Sequence, residues 1–317
     1  MNAILDAALA RVLEECDSRA LERDARAISE NYRLRTGTGK RLLTREGEAA
    51  AYAAARMPAT CAAAEAALGY ALAAAGLSPR TLLDVGAGTG AVSWAADSLL
   101  ELEGVVCLER EEAMRGVGAR LMQDAGGALA AASWQAFDIT SAQPLPHADL
   151  AAEGYMIGEL EEGMRLPAAR KLFAAADQMA LFIEPGTPQG FANLRMIRDA
   201  LLSEGAYIAA PCPQGTQRCP MAGDDWCHFT VRVQRTRLHK ALKGGSAPYE
   251  DEKFAYLALT KTPPQAACAA RVLRHPLIAP GRITLTLCGG GETHVQAVTK
   301  KDPLWKRARK IGAGDAL

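Results

Sequence analysis

The chain has 317 residues, 49% of them apolar and 23% charged, enough to bury a large core and too apolar for a disordered or fibrous protein. Positive and negative side chains balance at 36 each, but residues 1–150 hold 14 positive against 20 negative and residues 191–317 hold 19 against 10. A basic C-terminal portion therefore follows an acidic body, which fits either an anionic macromolecular partner or a solvated basic face.

The first 24 residues mix acidic and basic side chains, unlike a secretory or transit segment, and no apolar stretch reaches the roughly 20 residues of a membrane span. The expectation is a cytoplasmic chain, not membrane-bound, and a monomer. Residues 1–76 read as an N-terminal helical region, with apolar spacing in LDAALARVLEE and an Ala-rich helix broken at Pro58. Residues 77–205 then take up a βαβ rhythm. Strands are expected at 81–85, GVVCLE (104–109), SWQAFDI (133–139), HADLAAEGYM (147–156) and MALFIEP (179–185), with helices between most of them. A Cys-rich insertion occupies 206–252. Residues 253–317 supply two last strands, KFAYLALTK (253–261) and RITLTLC (282–288), which would complete a seven-stranded sheet, and a loosely held basic tail.

In LLDVGAGTG the first strand ends at Asp84 and Val85, and Asp84 with Gly86, Ala87, Gly88 and Gly90 is expected to bind the cofactor, the glycines allowing a tight turn that brings backbone N–H groups and a helix N-terminus near a ligand. The G-A-G-T-G spacing is the methyltransferase form, shorter than the dinucleotide pattern. Glu109 closes the second strand, where a carboxylate accepts both ribose hydroxyls, and Asp138 closes the third, where one meets an adenine amino group. These features point to S-adenosylmethionine in a class I Rossmann-like α/β fold, with NAD or an empty degenerate pocket as alternatives. Glu153 and Glu159 fall near the same crevice, as substrate contacts or as solvated strand-end carboxylates. No catalytic residue is assignable.

Eight cysteines without an export signal read as thiols or ligands rather than disulfides. Cys212, Cys219 and Cys227 share an irregular loop of little apolar content, which a metal would stabilise, and Cys288 at the end of the last strand makes a fourth. Four thiolates suit zinc or an iron–sulfur cluster. His228 and His294 are reserve ligands, and Cys16, Cys61, Cys107 and Cys268 fit as small buried side chains. The runs around Arg232, Arg235, Arg237, Lys240 and Lys243, and around Lys300, Lys301, Lys306, Arg307, Arg309 and Lys310, would hold phosphates. Trp226 and Phe229 would either stack on bases or pack around the metal.

Several segments resemble the Rsm22 family, methyltransferase-like proteins associated with the small ribosomal subunit in bacteria, plastids and mitochondria: AYAAARMPAT, LLDVGAGTGA, IEPGTPQGF, APCPQGTQRCP with WCHF, EDEKFAYLALTK and LTLCGGGETHVQAVTKKD. The likeness runs from about residue 30 to 315. It implies a role in rRNA modification or small-subunit assembly. It also implies that Cys212, Cys219, Cys227 and Cys288 match the thiols that bind a [4Fe–4S] cluster in the mitochondrial relative. Gln214 departs from the His of many members. The functions to separate are an rRNA-directed methyltransferase, a non-catalytic assembly factor and, more distantly, a small-molecule methyltransferase.

Overall fold

The computed structural model describes residues 3–14, 16–17, 20–21, 23–24, 43–213, 218–235, 247–266 and 268–317. Gln214, Arg237, Lys240 and Lys243 lie outside them. Helix α1 (Ala3–Glu14) precedes the long α2 (Glu46–Ala75). Contrary to expectation, α2 runs unbroken through Pro58. A mid-helix proline costs about 3 kcal/mol. Burial of its alanine-rich surface over the sheet offsets that cost: Ala50, Ala53, Met57, Ala64 and Leu68 are buried. Gly76, at φ 66°, ends the helix with its N–H on the Leu72 carbonyl.

The Rossmann-like core alternates β1 (Thr81–Val85), α3 (Ala91–Asp97), β2 (Gly104–Glu109), α4 (Glu112–Met122), α5 (Gly127–Ala130), β3 (Ser133–Ala136), β4 (Ala148–Gly154), α6 (Glu162–Ala175), β5 (Ala176–Pro185), α7 (Pro188–Ser203) and β6 (Tyr207–Ala210). Two more strands follow, β7 (Phe229–Gln234) and β8 (Tyr249–Thr260). The strand order is β3-β2-β1-β4-β5-β8-β6, with β7 also on β8. β1 to β5 pair in parallel, and β8 runs antiparallel to β5, β6 and β7. A doubly wound sheet with one late strand inserted in reverse beside β5 is the class I methyltransferase arrangement. α2, α3 and α4 cover one face, and α6 and α7 the other, around Phe182, Leu172 and Ile197.

The C-terminal third departs from expectation. RITLTLC becomes β11 (Arg282–Gly289) in a separate four-stranded sheet with β9 (Ala270–Val272), β10 (Leu277–Ala279) and β12 (Glu292–Thr299). The expected Cys-rich insertion contributes β6, β7 and the start of β8 to the main sheet. β11 alternates buried Ile283, Leu285 and Leu287 with half-buried Thr284, Thr286 and Cys288, so only one of its faces is apolar. It forms a core of its own with Val272 and Val298. A central strand of the main sheet would have both faces covered. Nor is the tail loose: α8 (Trp305–Ala308), Ile311 and Leu317 pack on this small core, and Leu317 exchanges backbone hydrogen bonds with Ala270.

Candidate functional site

Beyond β1 the chain turns back through Gly86 and Gly88, both left-handed at φ 67° and 57°. Gly86 also lies so close to Met156 that an added Cβ would sit 2.5 Å from its Cγ. The amides of Gly86 and Ala87 donate to the Leu108 carbonyl at 2.8 and 3.1 Å, and that of Gly88 donates to Glu109 Oε2 at 2.9 Å. Glu109 Oε1 accepts from the Glu111 amide at 2.8 Å. The carboxylate at the end of β2 therefore sets the shape of the glycine turn, and it lines a crevice of about 100 Å³. Gly86, Gly88, Glu109 and Asp138 line that crevice together, with Tyr155 and Met156 on the β4 side.

Asp138 Oδ1 accepts from the Thr140 amide and hydroxyl at 2.9 and 2.7 Å. Burial pushes its carboxyl up, but the Thr140 hydrogen bonds and nearby Arg110 and Lys171 hold it below the ordinary value, so it is ionised. Burial raises Glu109, against the opposing effect of the Glu111 and Gly88 amides. Ala87 lines a smaller cavity that shares Gly86 and Gly88 with the first. Gly90, at φ 90°, caps α3 against Met122 and Trp134 instead.

Asp84 and Glu153 stand behind the crevice rather than on its wall. Asp84 is fully buried and takes the Ser93 amide and hydroxyl at 3.1 and 2.7 Å, tying β1 to α3. Glu153 accepts from the amides of Met156, Ile157 and Ile183 at 2.9, 3.3 and 3.1 Å. It thus locks the turn after β4, in which Tyr155 holds a positive φ of 65°. That conformation costs a side-chain-bearing residue of order 1 kcal/mol and is kept only where the surroundings enforce it. Here the Tyr155 hydroxyl donates to Glu252 Oε1 at 3.0 Å, which also takes Arg56 at 3.2 Å. Glu159 does line the crevice.

Sequence reasoning missed Glu184, buried beside Glu153 and bonded to the Gly158 amide at 3.1 Å and to Asn193 at 2.8 Å. Burial pushes Asp84 and Glu184 each up to about 7, and burial with the Glu184 charge raises Glu153 as well. Between about pH 4 and 7 the folded chain then holds protons that the unfolded chain has released, so stability falls as the pH rises through that window. Carboxyls held low, such as Asp149, act only below it. Moving one buried carboxyl from about 4 to about 7 corresponds to about 4 kcal/mol. The urea midpoint is therefore expected to be lower at pH 8 than at pH 5, and Glu184→Gln to flatten the difference. Equal midpoints in the wild type would contradict this account.

On the other side of α7, Cys212, Cys219, Cys227 and Cys288 line one cavity of about 60 Å³, several times what a single water needs. None of the eight cysteines is in a disulfide. Burial raises Cys212, Cys227 and Cys288, with neighbouring thiols adding to it and Cys288 reaching about 12. The four thiols surround a space rather than converge: among the described residues no three His, Cys, Asp or Glu side chains form a group that could hold one metal ion. Neither reserve histidine lines the cavity. His228 is bonded to the Trp226 carbonyl, and His294 lies on β12. Phe229 is core, packed on Phe254 and Tyr256. Trp226 anchors the cysteine loop to the turn after β5 through the Gly186 carbonyl at 2.9 Å.

Of the basic run, Arg232 and Arg235 are paired with Asp251 and Glu250 across β7 and β8. The tail cations Lys300, Lys301, Lys306, Arg307, Arg309 and Lys310 are all exposed. Among the described residues no helix is long and apolar enough to cross a membrane.

The sequence model of the family described as mitochondrial small ribosomal subunit Rsm22 matches residues 46–317. The chain belongs to the Rsm22 family. It is 25% identical over 262 residues to the human mitochondrial ribosome assembly protein METTL17, covering 75% of this chain and 55% of that one, so it spans about half the length of this Rsm22-type relative. Among solved structures it is similar to magnesium protoporphyrin IX methyltransferase of Synechocystis with bound adenosylmethionine, at 14% identity and a TM-score of 0.43 over 75% of this chain and 97% of that one. It is also similar to TehB of Haemophilus influenzae, at 15% identity and 0.39 over 61% and 62%. The fold assignment for this Rsm22 member rests on the strand order itself.

Proposed function

We propose that the chain binds S-adenosylmethionine in the crevice at the ends of β1, β2 and β3 and works on or with the rRNA of the small ribosomal subunit. The observation that carries the reading is that Gly86, Gly88, Glu109 and Asp138 meet around one pocket. Glu109 would take the ribose hydroxyls, Asp138 the adenine amino group, and the turn amides the remaining polar edge. The exposed cations of the C-terminal tail supply a surface for phosphates.

In the same reading Cys212, Cys219, Cys227 and Cys288 hold a [4Fe–4S] cluster. A zinc tetrahedron needs sulfurs about 4 Å apart. Thiols set around a cavity suit a larger group better, and zinc is the alternative. When bound, the group cross-links the β6–β7 loop to the small sheet through Cys288. Side chains then orient it: Trp226 fixes the loop to the main sheet, and Arg274 joins the two parts through Asp225 and the Trp226 carbonyl.

A second reading, an assembly factor that performs no methyl transfer, is favoured by one feature. Glu153, at the end of β4, stands behind the crevice with its oxygens spent on three backbone amides, so it does not face an acceptor bound there. The deciding experiment is methyl incorporation from labelled adenosylmethionine into purified small-subunit particles, run beside equilibrium binding of the cofactor. Incorporation establishes the enzyme. Binding without incorporation establishes the assembly factor, and no binding removes the crevice as a cofactor site.

A further inference from the structure

The cavity between α7 and the small sheet holds, besides its four cysteines, Arg195, Arg198, Arg218 and Arg271, and no carboxylate lines it. Arg195 and Arg218 are exposed. Arg198 and Arg271 are only 5% and 3% exposed. A guanidinium does not lose its proton in a protein, and a buried one without an anionic partner is strongly destabilising. Arg271 donates from Nε to the Pro211 carbonyl at 2.8 Å and from Nη1 to the Gly314 carbonyl at 2.9 Å. It makes no ion pair with a carboxylate among the described residues. Arg198 pairs with Asp199 at 2.7 Å, an aspartate whose side chain is 55% exposed and therefore well screened, and it shares the cavity wall with Cys212, whose thiolate form its charge favours.

Two permanent cations are thus buried against four thiols. Four thiolates on either a zinc ion or a [4Fe–4S] core of charge +2 sum to a net charge of about −2. Arg271 and Arg198, the latter shared with the exposed Asp199, face that charge from the cavity wall.

We propose that Arg198 and Arg271 are counter-charges of this cavity, positioning residues that offset the negative charge of a thiolate-bound metal group and retain it inside the protein. The inference rests on the metal reading above but not on the identity of the metal. It assigns the α7 arginine a reason to sit on the apolar stripe that Leu194, Ile197 and Leu201 otherwise form. It also explains why Arg271 stands directly opposite Cys288 in the β9–β11 register.

The test uses the full chain purified without oxygen, as wild type, Arg198→Gln, Arg198→Lys, Arg271→Gln and the exposed control Arg232→Gln. Iron and zinc are assayed, and the rate of metal release to a chelator is followed. Where iron is present, the cluster is titrated with dithionite and its reduced form followed by electron paramagnetic resonance. Each Gln variant is expected to release metal at least tenfold faster. The cluster should become harder to reduce by about tenfold in the reduced-to-oxidised ratio, about 59 mV for one electron. Arg198→Lys should recover most of both, and Arg232→Gln should match wild type. If Arg271→Gln fails to fold, Arg198→Gln carries the test alone. Folded Gln variants that release metal at the wild-type rate overturn the proposal. Zinc in the wild type overturns the cluster reading and leaves this proposal standing on the release rates; neither metal overturns both.

Discussion

Glu109→Ala is expected to lower adenosylmethionine affinity at least a hundredfold while the protein stays folded. Two losses act together. The cofactor loses the carboxylate placed for its ribose hydroxyls, and the Gly88 and Glu111 amides lose the acceptor that shapes the turn. Hydrogen bonds to a charged group are worth about 1.5–3 kcal/mol each, so two of them account for a hundredfold or more. Glu109→Gln should fall between the two proteins, because its amide oxygen can replace only one carboxylate oxygen. Asp138→Ala should cost less, about tenfold, since its Oδ1 is already bound to Thr140 and only the other oxygen is open to a ligand. Calorimetric titration with adenosylmethionine, beside thermal melting of each variant, gives these values. Wild-type affinity in a folded Glu109→Ala protein would place the cofactor elsewhere.

The glycine turn was legible in the sequence because its chemistry is local. A short apolar strand, three glycines and a carboxylate closing the next strand lie within 30 residues, and each has its own physical reason to be there. Asp84 was misread because position alone does not separate a carboxylate facing a ligand from one facing the next helix; Ser93, nine residues on, decides it. Glu184 was missed because its partners, Gly158 and Asn193, come from two other elements. β11 looked like a core strand because its Ile-Thr-Leu-Thr-Leu alternation fits any half-buried sheet, and periodicity does not name the sheet a strand joins. A signal did exist for Arg198. A guanidinium four residues from Leu194, on the buried stripe of α7, already asks for an anion. Pro58 shows the converse, a strong local rule overridden by the burial of 18 of the 30 residues of an Ala-rich helix.

Cys227→Ser should remove the metal and loosen the C-terminal third together. Cys227 lies on the loop between β6 and β7, and Cys288 on the small sheet, whose own core is small: Ala270, Val272, Ile283, Leu285, Leu287, Val298 and Ala308. A bound group linking the two sides adds binding energy that exists only in the folded chain. Its loss, taken as several kcal/mol, is expected to lower the melting temperature by roughly 10 °C. It should also make the small sheet more susceptible to limited proteolysis, leaving the β1–β5 body intact and able to bind adenosylmethionine. Cys16→Ser, just beyond α1 and outside the cavity lining, should change none of these. The variant also separates the candidate groups: visible absorbance with about four irons and four sulfides per chain in the wild type, all lost in Cys227→Ser, identifies the cluster. One colourless zinc lost in the same way identifies a structural ion. Equal melting of a metal-loaded wild type and the metal-free variant would mean that the four thiols line this cavity without joining its two sides.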